Sequence, residues 1–166
     1  MKIITKISLI TSISLFISSC LNVENYPIEP AILFSGYTLT DTTDALGNNI
    51  KLFELTIEFT DGDGDIGLEE SDTIAPFNPA SIYYYNLWVT PFKKENTIYT
   101  EVQTAIPFHA RIPNLTPTGQ NKSLNGEISY EVNITDIITD TLKFRIQLID
   151  RALHESNVVE SPDISI

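Results

Sequence analysis

Residues 52–59 alternate without a break. Phe53, Leu55, Ile57 and Phe59 are apolar, and Glu54, Thr56 and Glu58 between them are polar. A period of two places every second side chain on one face of an extended chain, whereas a helix would scatter these residues around its circumference. The pattern recurs in 127–134, where Ile128, Tyr130, Val132 and Ile134 alternate with polar residues. It recurs again in 142–148, with Leu142, Phe144, Ile146 and Leu148. A strand with one wet face must bury the other against a second layer. Further strand candidates are 31–40, 82–91, 97–104, 107–112 and 158–166. Turn formers separate them: Gly47-Asn48-Asn49, a charged hairpin tip at Lys93 to Asn96, and a polar loop over 113–126. No segment sustains a 3.6-residue period. The spacing predicts an all-β chain, a single antiparallel immunoglobulin/fibronectin type III-like β-sandwich of seven or eight strands over 31–166. An insertion at 66–81 falls between its second and third strands.

The first 20 residues follow a different rule. Lys2 and Lys6 precede an apolar run from Ile7 to Ile17, which is short for a membrane span of about 20 residues and fits a signal-peptide core. The run ends in Ile17-Ser18-Ser19-Cys20, which resembles the lipobox of bacterial lipoproteins. That resemblance implies a signal peptide over 1–19, lipid on Cys20, and a short tether over 20–30 that carries two prolines. A lipidated Cys holds a chain to a bilayer without a transmembrane helix. The expected address is the bacterial cell envelope, at the outer membrane, with the periplasmic and surface faces both open. Cys20 is the chain's one cysteine, so the fold is not stapled by internal disulfides. A net charge of −12 argues against nucleic acid, whose phosphates require a basic surface. Hydrophobic residues at 42% supply enough apolar mass to exclude a disordered chain.

The strongest chemical signal is Phe59-Thr60-Asp61-Gly62-Asp63-Gly64-Asp65-Ile66-Gly67. Three alternating carboxylates converge if the backbone curls, and the glycines between them allow the curl. Converging carboxylates repel unless a cation neutralises them. An all-oxygen donor set suits a hard cation, and Ca²⁺ is the expected one. The alternation resembles the start of an EF-hand loop, but Ile66 occupies the place of its obligatory glycine and no helices flank it. The competing reading is a solvated Asp-Gly turn. A second polar segment, Asp150 to Asn157, follows the strand 142–148. In a sandwich of the expected order its loop lies at the same end as the loop after the second strand. Asp150, Glu155 or Asn157 can then complete the site, with Asp150 and Asn157 the chosen candidates, while Arg151 can pair with a spare carboxylate.

The two motifs behind a lipobox resemble a group of small Bacteroidota lipoproteins of no assigned activity. The resemblance implies a cell-envelope sandwich domain and no reaction. Residues 83–92 concentrate aromatics, and as a strand they would place Tyr84 and Trp88 on one face, a pair suited to a glycan or protein partner if exposed. His109 is expected at the surface. His154 with Glu155 and the aspartates offers a weaker zinc alternative. There is no nucleophile elbow, phosphate-cradling loop or HExxH motif, so no enzyme is expected. The expected role is structural or binding, with a carbohydrate-binding accessory role as the alternative.

Overall fold

The alternation in 52–59 becomes the central strand of one sheet. The computed structural model describes residues 25–166; the signal segment and Cys20 lie outside the described residues. In chain order the strands are β1 (Ala31–Thr43), β2 (Asn49–Asp61), β3 (Leu87–Glu95), β4 (Ile98–Glu101), β5 (Leu124–Asn133), β6 (Thr141–Leu148), β7 (Val159–Glu160) and β8 (Ile164–Ser165). One sheet has the order β1-β2-β5. The other runs β4-β3-β6-β7, with β8 also paired to β6. Every strand pairing is antiparallel. This is an all-β sandwich, in the order expected of an immunoglobulin/fibronectin type III-like fold. Among the described residues no helix is long and apolar enough to cross a membrane.

The core lies between the sheets. Phe53, Leu55, Ile57 and Phe59 of β2 face Leu142, Phe144, Ile146 and Leu148 of β6, with Ile128 and Val132 of β5 and Leu87 and Val89 of β3 beside them. Phe53 and Phe144 stack across the layer at 4.3 Å between ring centroids and 11° between planes. Both rings are fully buried.

Several expected strands end early for local reasons. Ser81 accepts the Tyr83 N–H and caps a 3-10 turn at Ile82–Tyr84, so β3 starts at Leu87 instead of residue 82. Tyr84 and Trp88 therefore do not share a strand face. Lys93 and Lys94 lie within β3, and the reversal falls at Asn96, whose φ of 58° suits a tight turn. The strand expected over 97–104 is cut to four residues by Pro91 across from it. Pro91 has no N–H to give a partner, and only its carbonyl accepts, from Val102. Residues 107–112, between Pro107 and Pro113, form no strand. They are held by an isolated bridge at Ala110 and by the buried Asn86 side chain, which bonds both N–H and C=O of Ile112. Residues 158–166 split into β7 and β8 at Ser161-Pro162, where the Ser161 hydroxyl accepts the Phe144 N–H.

The cross-layer stack sets a stability test. Phe144→Ala removes a fully buried ring and should cost about 3–5 kcal/mol in urea unfolding, with the slope m unchanged. Leu46→Ala, at a turn where the side chain is 87% exposed, should shift stability by less than about 0.5 kcal/mol.

Candidate metal centre

β2 ends where its register with β5 ends, at the pair Asp61–Leu124. Asp61 is the last residue of the strand and has no exposed surface. Its Oδ2 accepts the Asp65 N–H at 2.9 Å, which curls the chain so that residues 61, 63 and 65 turn inward. Gly64 is required for that curl. Its φ is +65°, and a Cβ there would collide with the Lys122 carbonyl.

The second arm comes from the other sheet. β6 runs into Ile149 and Asp150, and Asp150 is 1% exposed. A tight turn follows, with Leu153 at φ 72°. Both oxygens of Asp150 meet His154. Oδ1 accepts the His154 N–H at 2.7 Å, and Oδ2 lies 2.8 Å from the ring Nδ1. The arms touch directly, because the Arg151 N–H donates to the Asp65 carbonyl at 3.2 Å.

The result is one cluster. Asp61, Asp63, Asp65 and Asp150 each present a carboxylate oxygen, and these four atoms all lie within 4.8 Å of one another. Oxygens around a single Ca²⁺ at about 2.4 Å can be separated by at most about 4.8 Å, so the four are compatible with a shared ion. Oδ1 of Asp61, of Asp63 and of Asp65 are buried and have no hydrogen-bond partner among the described residues. Buried carboxylate oxygens normally find a donor, so three unpartnered oxygens in one cluster need an explanation, and a bound cation supplies one. At this separation each pair of charges repels by about 3 kcal/mol for an effective dielectric of about 20, before solvent screening. The cluster can hold a metal ion.

The electrostatics follow from this crowding. Burial, joined by the charges of Asp63, Asp65 and Asp150, pushes the Asp61 carboxyl up to about 6 against the pull of the Asp65 N–H. Burial and the Asp150 and Asp63 charges also raise Asp65. His154 is raised chiefly by its hydrogen bond to Asp150.

Other expected residues separate from the cluster. Asn157 is engaged elsewhere: its Oδ1 accepts the Ile32 N–H at 2.8 Å and its Nδ2 donates to the Ile32 carbonyl at 2.9 Å. Its amide replaces a neighbouring strand at the edge of β1 and is not directed to the aspartates. Glu155 accepts from Gln147. Arg151 pairs with Asp72 of the insertion at 2.9 Å. His154 acts as a positioning partner to Asp150, and its spacing of four residues from an Asp at a turn was the available signal. Tyr84 lies under the Arg111 guanidinium at 4.8 Å. That guanidinium also donates to the carbonyls of Tyr84, Glu69 and Asp72. Trp88 donates its indole N–H to the Tyr85 carbonyl and stacks on His109. Neither ring is an open platform. His109 is half-buried and not a surface residue; its Nδ1 accepts the Val89 N–H, and burial lowers its pKa.

Compared with known proteins, the chain matches no family model, no curated sequence and no solved structure.

The raised groups fix a pH dependence for the ion-free protein. Asp61, Asp65 and His154 all bind a proton more tightly folded than unfolded. The stability linked to them is fully present below their unfolded values and is lost as pH rises through their folded values. Urea midpoints measured in EDTA should therefore fall between pH 5 and pH 7.5. A flat profile in EDTA would show that neither burial nor neighbouring charge raises these groups in the folded chain.

Proposed function

We propose that the chain is a lipid-anchored β-sandwich lipoprotein of the bacterial cell envelope, with a structural or binding role and no catalytic one. In this reading Ca²⁺ held by Asp61, Asp63, Asp65 and Asp150 fastens the two sheets at one end. The observation that carries the ion is the set of three buried carboxylate oxygens without a donor, closed by a fourth carboxylate from the opposite sheet. The choice of Ca²⁺ rests on the donors. All are carboxylate oxygens, which disfavours softer metals that prefer nitrogen and sulfur. Mg²⁺ is usually held by one or two carboxylates and keeps several waters, whereas Ca²⁺ accepts six to eight oxygens in flexible geometry. The anchor rests on the sequence alone, on Ile17-Ser18-Ser19-Cys20 behind an apolar run. Fastening explains why the ligands come from the end of β2 and the loop after it and from the segment that follows β6, since β2 and β6 belong to different sheets. An ion between them opposes the parting of the layers.

Thermal melts of the purified chain in EDTA and in millimolar Ca²⁺ test the ion. Ca²⁺ at 100-fold above its dissociation constant should add about 2.7 kcal/mol. Asp61→Asn keeps the oxygen that accepts the Asp65 N–H and removes one charge. It should melt higher than the parent in EDTA and lose the Ca²⁺ increment. An unchanged melt in Ca²⁺ would reduce the cluster to an acidic turn. The anchor has its own test: metabolic labelling with radioactive palmitate should mark the parent and not Cys20→Ser, and equal labelling of the variant would refute lipidation at that position.

A further inference from the structure

Both arms of the aspartate cluster also hold the segment that leads into β1. On the first arm, Gly62 lies flat against the backbone of Tyr26 and Pro27. A Cβ added at Gly62 would come within 2.6 Å of the Pro27 carbonyl oxygen and closer still to that of Tyr26. Gly62 is not in the left-handed region, so its backbone conformation is open to other residues. The requirement for glycine comes from the close approach of the incoming chain. Asn125, at the start of β5, donates to the Tyr26 hydroxyl at 2.7 Å and fixes the same point. On the second arm, Asn157 follows the Asp150 turn and grips Ile32 by both its N–H and its carbonyl. The segment from Tyr26 to Ile32 is thus caught at one end by the loop that carries Asp61, Asp63 and Asp65, and at the other by the loop that carries Asp150.

We propose that the aspartate centre is a clasp: a divalent cation draws its two loops together and locks residues 26–30, which lead into β1, onto the end of the sandwich, and loss of the ion releases them while Ala31 and Ile32 stay paired with β2. This rests on the reading of the cluster as a cation site and adds what the ion controls. The ion adds to the Arg151–Asp65 backbone bond that already joins the loops, and without it four carboxylates repel across the same gap. Gly62 lies between two of those carboxylates in sequence, so it cannot hold its place against Tyr26 and Pro27 if the loop spreads. Release of residues 26–30 would free a contour of about 17 Å at 3.3–3.6 Å per residue.

The test is hydrogen exchange by mass spectrometry on the full chain, in EDTA and in 1 mM CaCl₂, with ion binding measured separately by calorimetry on the same sample. With Ca²⁺ bound, peptides spanning Tyr26–Pro30 should exchange at least tenfold more slowly than in EDTA. Gly62→Ala keeps all four carboxylates. It should still bind Ca²⁺, while its 26–30 peptides exchange fast in both conditions. Ca²⁺ binding by the parent without slower exchange at 26–30 overturns the clasp and leaves the ion site standing. Full protection of the segment in Gly62→Ala also overturns it. Absence of Ca²⁺ binding by the parent overturns the ion site and the clasp together.

Discussion

Repulsion among four carboxylates is the constraint around which one end of this molecule is organised. Asp61 and Asp150 are buried, and Asp63 and Asp65 only half so. A chain does not bring such groups together without fixing each of them in place. Asp61 is fixed by the register of β2 against β5 and by the Asp65 N–H. Asp150 is fixed by the end of β6 and by two contacts to His154. Gly64 admits the Lys122 carbonyl, so the loop is packed from outside by a third segment. The packing holds the carboxylates in place but leaves three oxygens without donors among the described residues, and a cation would satisfy them.

The same economy of contacts runs along the sandwich edges. Where a strand is missing, a polar side chain takes over its hydrogen bonds. Asn157 serves Ile32 at the edge of β1, and Asn86 serves Ile112. The Ser156 and Ser161 hydroxyls accept from Leu148 and Phe144 of β6. Each substitution stops a strand from extending and leaves no unpaired buried donor. It also explains why the last sheet position is divided between the two-residue strands β7 and β8. The chain there alternates between pairing with β6 by backbone and by serine.

The central strands were legible because burial on one face alone imposes a period of two. In β2 every residue assigned to the core is buried, and Phe53, Leu55 and Ile57 are completely so. The carboxylate cluster was legible for a different reason. Three alternating aspartates make sense only if something converges on them, and strand order placed Asp150 at the same end. The edges were not legible. Pro91 shortens a strand that lies ten residues further along the chain, and Ser81 turns an aromatic strand pattern into a 3-10 turn. Such effects act between segments whose pairing is not written in either one. Asn157 was misplaced for the same reason. An amide near an acidic loop suits a metal ligand and an edge cap equally, and only the position of Ile32 decides between them.

The placement of the cluster gives the anchor a physical consequence. Tyr26 contacts the aspartate loop at Gly62, and Cys20 lies six residues before it. If Cys20 carries lipid, the metal centre is within about 20 Å of chain contour from the bilayer surface. The anchored end of the sandwich is then the acidic end. Anionic headgroups concentrate divalent cations within a Debye length of the surface, roughly 8 Å at physiological ionic strength. They also repel an unneutralised cluster of four aspartates. In that case both effects act in the same direction, since a divalent ion halves the negative charge that the cluster would turn toward the headgroups. A clasp that shortens the tether when the ion is bound, and lengthens it when the ion is lost, matches that electrostatic preference in each state.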